Sequence, residues 1–119
     1  MSYQLFLDDE RLPHRVTWVS IPPGPWVVVR SYSQFVNYIS KQGIPLFISF
    51  DHDLADEHYY KNPNGASFKE KTGYDCAKWL IEYCMDKSIR FPDYQVHSMN
   101  SIGKENIISL IENYKNLSN

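Results

Sequence analysis

Apolar positions fall along this chain in short blocks of two kinds. Runs of four to six mostly apolar residues alternate with longer segments in which apolar residues recur every three or four positions. Leu5 to Leu7, "WVVVR" at 26–30, "PLFISF" at 45–50 and "DYQVHSMN" at 93–100 read as strands. "SYSQFVNYISKQG" at 31–43 reads as a helix. Ser33 is its expected N-cap, Phe35, Val36 and Ile39 form its inner face, and Gly43 stops it. Residues 73–88 repeat the pattern with Ala77, Leu80, Ile81 and Cys84, and 103–117 with Ile107, Ile108, Leu110 and Ile111. Two segments carry neither period. Residues 11–26 hold Pro13, Pro22, Pro23 and Pro25 and cannot form a regular helix. Residues 51–75 form a long polar connection, expected to be a flap of irregular structure.

The order is strand, strand, helix, strand, helix, strand, helix. Strands alternating with helices predict an α/β fold with a mostly parallel four-stranded sheet and helices on its faces. The Pro-rich segment stands where a first crossover helix would be, so the link from the first strand to the second is the weakest part of this topology. The 119 residues are read as one domain, 1–119.

Each strand turns polar at its C-terminal end. The first runs into Asp8 and Asp9, the third into Asp51, His52 and Asp53, and the last into His97, Ser98 and Asn100. In a parallel sheet these ends share one edge, and ligands of open α/β sheets bind in the crevice beyond it. Crowded carboxylates repel and are costly to desolvate, and a divalent cation resolves both problems. Asp8, Asp9, Asp51 and Asp53 are therefore candidate ligands. Oxygen donors suit Mg²⁺ or Mn²⁺, and a contribution from His52 or His97 would also admit Zn²⁺. The plainer reading of any single strand-end Asp is a helix or turn cap. Asp51 and Asp53 alternate with His52, so which of the three faces the site depends on where the strand ends. His58 and His14 lie in the two irregular segments and are weaker candidates.

Two helix starts have a double reading. Thr72 and Asp75 look like a capping pair, or else "TGYD" leans over the sheet edge to reach a ligand. At "NSIGKE", Asn100 or Ser101 would cap, Gly103 would let backbone come close, and Lys104 beside free N–H groups would suit a phosphate. Arg11, just after the acidic pair, is the other candidate anion contact.

Charge and cysteine usage narrow the class. A net charge of −2 argues against an extended nucleic-acid surface but allows a locally positive phosphate site. Cys76 and Cys84 would lie roughly 12 Å apart along a helix, too far for a disulfide, which suits a reducing, cytoplasmic setting. There is no basic, apolar leader at the N-terminus and no window long enough to span a membrane.

The acidic pair after the first strand, the Asp after the third and the small hydroxyl residue after the last resemble a phosphoacceptor receiver domain, a flavodoxin-like fold. That resemblance implies Asp8 and Asp9 as metal ligands, Asp51 as phosphoryl acceptor and Ser98 as switch hydroxyl. The fifth strand with its lysine is missing, and so is the first helix. Taken in order, "LFLDDERLP", "GPWVVVRSY", "ISFDHDL", "TGYDCAKWL" and "VHSMNSIGKENI" resemble the narrower cyclic-phosphate processing receiver-like family of bacteria and phages.

The narrower resemblance implies a metal-dependent phosphoesterase acting on a cyclic phosphate or a related nucleotide or RNA-end phosphoester. His52, His97 and Asp51 would be catalytic, as acid, base or nucleophile. Arg11, Thr72, Ser98, Asn100 and Lys104 would hold the phosphate. The alternative is a non-catalytic receiver that binds a phosphorylated ligand or a partner protein. The sequence leaves oligomeric state open.

Overall fold

The computed structural model of the protein describes residues 2–54, 59–61, 67–69 and 71–117. Its sheet is built from β1 (Gln4–Leu7), β2 (Val27–Val29), β3 (Phe47–Phe50) and β6 (Asp93–Val96), in the order β2-β1-β3-β6 and parallel throughout. The helices are α1 (Tyr32–Gln42), α2 (Gly73–Lys87) and α3 (Ser101–Leu117). A short antiparallel pair, β4 (Tyr59–Lys61) and β5 (Ser67–Lys69), lies apart from the main sheet. The fold is α/β and receiver-like.

The crossovers explain how the layers form. From β2 to β3 and from β3 to β6 the chain moves in one direction across the sheet; from β1 to β2 it moves in the other. Right-handed crossovers put opposite directions on opposite faces. Leu5, Leu7, Ile48, Phe50 and Val96 accordingly meet Phe35, Ile39, Ala77, Leu80, Ile107 and Ile111 in one core shared with all three helices. The other face is covered by the Pro-rich segment, whose only regular element is a 3₁₀ turn at Pro13–Arg15. There Phe6 is fully buried, packed edge-on against Trp26 at 5.9 Å, and Trp26 meets Phe47 in the same way. Gln4 Nε2 donates to the Pro23 carbonyl (2.9 Å), and the Trp26 indole donates to that of Pro22 (3.1 Å). The third layer is thus a loop, as the prolines in place of a first crossover helix lead one to expect.

Several element ends differ from the sequence reading. α1 starts two residues earlier than Ser33 suggested, because Ser31 Oγ accepts from the Gln34 N–H and so acts as N-cap. α3 starts at Ser101 and is capped by Asn100, whose Oδ1 accepts from the Gly103 N–H at 2.9 Å. β6 consequently stops at Val96, since residues 97–100 must turn into that cap. Thr72 and Asp75 form a complete capping box at α2. The polar connection holds the β4–β5 pair instead of being irregular throughout; His58 and most of the rest of it lie outside the described residues. Both cysteines are buried and are not joined in a disulfide. No helix among the described residues is long and apolar enough to cross a membrane.

Candidate functional site

In-register parallel strands carry the site. Val29, Leu7, Phe50 and Val96 form the last paired row of the sheet. The next residue on three of these strands is Asp8, Asp51 or His97, and each backbone N–H still donates to the carbonyl of its neighbour, Val29, Leu7 or Phe50. Side chains alternate along a strand, so these three point to the loop-covered face, opposite Leu7, Phe50 and Val96. Ligand atoms of Asp8, Asp51 and His97 all lie within 4.8 Å of one another, and all three residues are buried. Its two carboxylates follow β1 and β3, the adjacent strands between which the chain's direction across the sheet reverses, the usual place for a ligand crevice in an open α/β sheet.

Asp8 is the most constrained. Its Oδ1 accepts from the Glu10 and Arg11 N–H groups at 2.9 Å each. Its Oδ2 meets His97 Nε2 at 3.0 Å and Arg11 Nη1 at 3.5 Å. Burial alone would raise this carboxyl, but the His97 and backbone hydrogen bonds outweigh it and hold it down at about 2. Asp51 is placed differently. One of its oxygens accepts from the His52 N–H at 2.9 Å, and the other has no donor among the described residues. Burial, followed by the Asp8 charge, pushes its carboxyl up to about 6. A buried carboxylate oxygen without a donor, facing a second carboxylate, is a fit for a cation.

His97 is fully buried and lies flat on Phe6, with ring centroids 4.5 Å apart. Nε2 faces Asp8, and Nδ1 is 2.7 Å from Ser49 Oγ. The Trp18 indole N–H donates to its carbonyl at 2.7 Å, tying the Pro-rich segment to the site. Arg30 Nη1 donates to the Asp8 and Arg11 carbonyls at 3.2 and 2.8 Å and fixes the turn after β1.

The remaining sequence candidates divide. Asp9 is half-buried, and its charge adds to the rise at Asp51. Arg11 stands at the rim, with its guanidinium 5.2 Å from the Trp18 ring. Ser98 is buried close by, its hydroxyl taken by the Asn100 N–H. Asp53 does not join the cluster. Its side chain is exposed, 2.9 Å from His52 Nδ1 and 3.4 Å from the Asn100 amide. His52 itself packs over Gly103, where a Cβ would come within 2.4 Å of the ring. Thr72 is committed to its cap. Lys104 lines a separate cleft with Gln95 and Glu112.

Sequence reasoning passed over Ser49, Gln95, Arg30 and Trp18. A fully buried serine inside "LFISF" was the available signal for the first; the other three become visible only through their partners.

Comparison with curated proteins and with solved structures finds no match for this chain. Comparison with family models matches residues 3–113 to the cyclic-phosphate processing receiver domain. Nearly the whole chain lies in that span, the site row and all four strands of the parallel sheet included, and the chain belongs to the cyclic-phosphate processing receiver domain family.

Proposed function

We propose that this protein is a metal-dependent phosphoesterase acting on a cyclic phosphate or a related nucleotide or RNA-end phosphoester. The observation that carries the reading is the buried Asp8–Asp51 pair, with one Asp51 oxygen left without a donor among the described residues. Asp8 and Asp51 would hold the cation, with Asp9 beside them, and oxygen donors favour Mg²⁺ or Mn²⁺. A bound divalent ion supplies charge neutralisation at phosphorus and a water of lowered pKa. Arg11 is the nearest cation at the rim and would steady a phosphate oxygen. Ser98 stands next to His97 and would offer its hydroxyl. His52 gives Nδ1 to Asp53, which leaves Nε2 to exchange a proton with substrate or water. His97, buried with both nitrogens engaged, acts on the reaction through Asp8.

A second reading is a receiver that binds a phosphorylated ligand without turnover. It is favoured by the absence, among the described residues, of a lysine at the cluster, Lys104 lining a different cleft. Turnover assays with 2′,3′-cyclic nucleotides and ADP-ribose cyclic phosphate, in Mg²⁺, Mn²⁺ and Zn²⁺, separate the two. We expect hydrolysis that Asp8→Asn and Asp51→Asn each reduce by about 10³-fold, the scale of losing a metal's charge stabilisation. Tight binding with no hydrolysis of any of these would establish the second reading instead.

A further inference from the structure

Ser49 is the one polar residue on β3 and is fully buried, so its hydroxyl needs partners inside the protein. It has two. Gln95 Nε2 lies 3.2 Å from Ser49 Oγ, and His97 Nδ1 lies 2.7 Å from it on the other side. An amide nitrogen can only donate, so Ser49 accepts from Gln95 and keeps its own proton available for His97 Nδ1. That nitrogen then carries a lone pair, and the ring proton sits on Nε2, aimed at Asp8 Oδ2.

The far end of the chain demands the same direction. Asp8 takes two backbone N–H groups on Oδ1, and its other oxygen can meet Nε2 at 3.0 Å only if Nε2 donates. The reverse order, with the ring proton on Nδ1 in place of Nε2, would set a bare Nε2 lone pair against the Asp8 carboxylate at 3.0 Å.

We propose that Gln95 and Ser49 are positioning residues of the site. They form a one-way hydrogen-bond relay, from Gln95 through Ser49 and His97 to Asp8, that fixes His97 as its Nε2–H form. The ring is thereby reserved for orienting the Asp8 carboxylate and is withheld from ligating a cation. The cluster then offers oxygen donors only, which selects Mg²⁺ or Mn²⁺ over Zn²⁺. This last step rests on the reading of Asp8 and Asp51 as cation ligands; the relay itself does not.

The test is long-range ¹⁵N–¹H correlation on the metal-free, histidine-labelled protein at neutral pH, with the His97 ring assigned from His97→Gln. The expected ring has a protonated Nε2 and a lone pair on Nδ1. Gln95→Glu keeps the shape but can only accept, so it should reverse the relay and protonate Nδ1. Ser49→Ala should mix the two ring forms and weaken Mn²⁺ binding by about tenfold or more, with the circular dichroism unchanged. A wild-type ring with a lone pair on Nε2 overturns the proposal, whether or not the variants fold. So does a Gln95→Glu spectrum identical to wild type. The expected ring form in a protein that binds no divalent ion at millimolar concentration would uphold the relay and remove the cation reading.

Discussion

Asp8 and Asp51 occupy adjacent strands at the same level of the sheet, yet their carboxyls shift in opposite directions. Asp8 lies below the ordinary carboxylate range, so it stabilises the fold above about pH 4 and loses that contribution as pH falls towards 2. Asp51 is held at about 6, so the folded state takes up a proton there that the unfolded chain does not. Its ionisation costs stability progressively as pH rises from about 4 through 6. On these two groups the metal-free protein should therefore be most stable near pH 4 and lose stability on either side. Asp51→Asn should stabilise it at pH 8 by on the order of 2 kcal/mol and leave pH 4 nearly unchanged. Urea denaturation at the two pH values measures this. No gain at pH 8 would mean that the Asp51 charge is not confined as described. At this scale the sequence was informative where an apolar run meets an acid, which located Asp8 and Asp51. It did not separate Asp51 from Asp53, because the alternation that assigns faces stops with the strand at Phe50. Gln95 and Ser49 have no motif; their role comes from a register that pairs them across two strands.

Elements meet at the site through two helix starts. The Gly73 N–H donates to the His52 carbonyl at 2.7 Å, and a Cβ on Gly73 would lie 1.8 Å from the Asp51 carbonyl oxygen. The obstacle is backbone, so neither side can turn away. Gly73→Ala should cost about 3 kcal/mol or more despite the gain in helix propensity, and should weaken cation binding because the Asp51 main chain must shift. Gly103→Ala first meets the His52 ring, a side chain, and should cost less, about 1–2 kcal/mol, while expelling that ring. Thermal unfolding and Mn²⁺ titration of both variants test the ranking, and equal costs would contradict it. Most elements were readable from period and stop signals, the capping box at Thr72 included. The β4–β5 pair was not, because "YYK" and "SFK" are too short to show alternation. Choosing Ser31 over Ser33 needed the residue three positions on, where Ser31 has Gln34.

The whole molecule has one strong face and one unusual one. Three helices close the first, and residues 8–26 close the second without regular structure beyond a single turn. The sequence pointed to the missing helix through its prolines. It did not by itself say that the loop would cover the site face, which follows only once strand order fixes the crossover directions. A layer built this way has few repeating hydrogen bonds to hold its backbone, so the unfolded chain's freedom becomes the quantity to control. Proline restricts φ before any contact forms. Pro23 is exposed and contributes its carbonyl to Gln4, an interaction that alanine keeps. Pro23→Ala should therefore lower stability by about 0.5–1 kcal/mol, as read by urea denaturation, with Mn²⁺ affinity unchanged. A loss much larger than that would mean the ring itself packs. The segment that covers Asp8 and His97 is on this account ordered partly in advance: its conformational search is narrowed in the unfolded ensemble, and the native state has correspondingly less disorder to overcome.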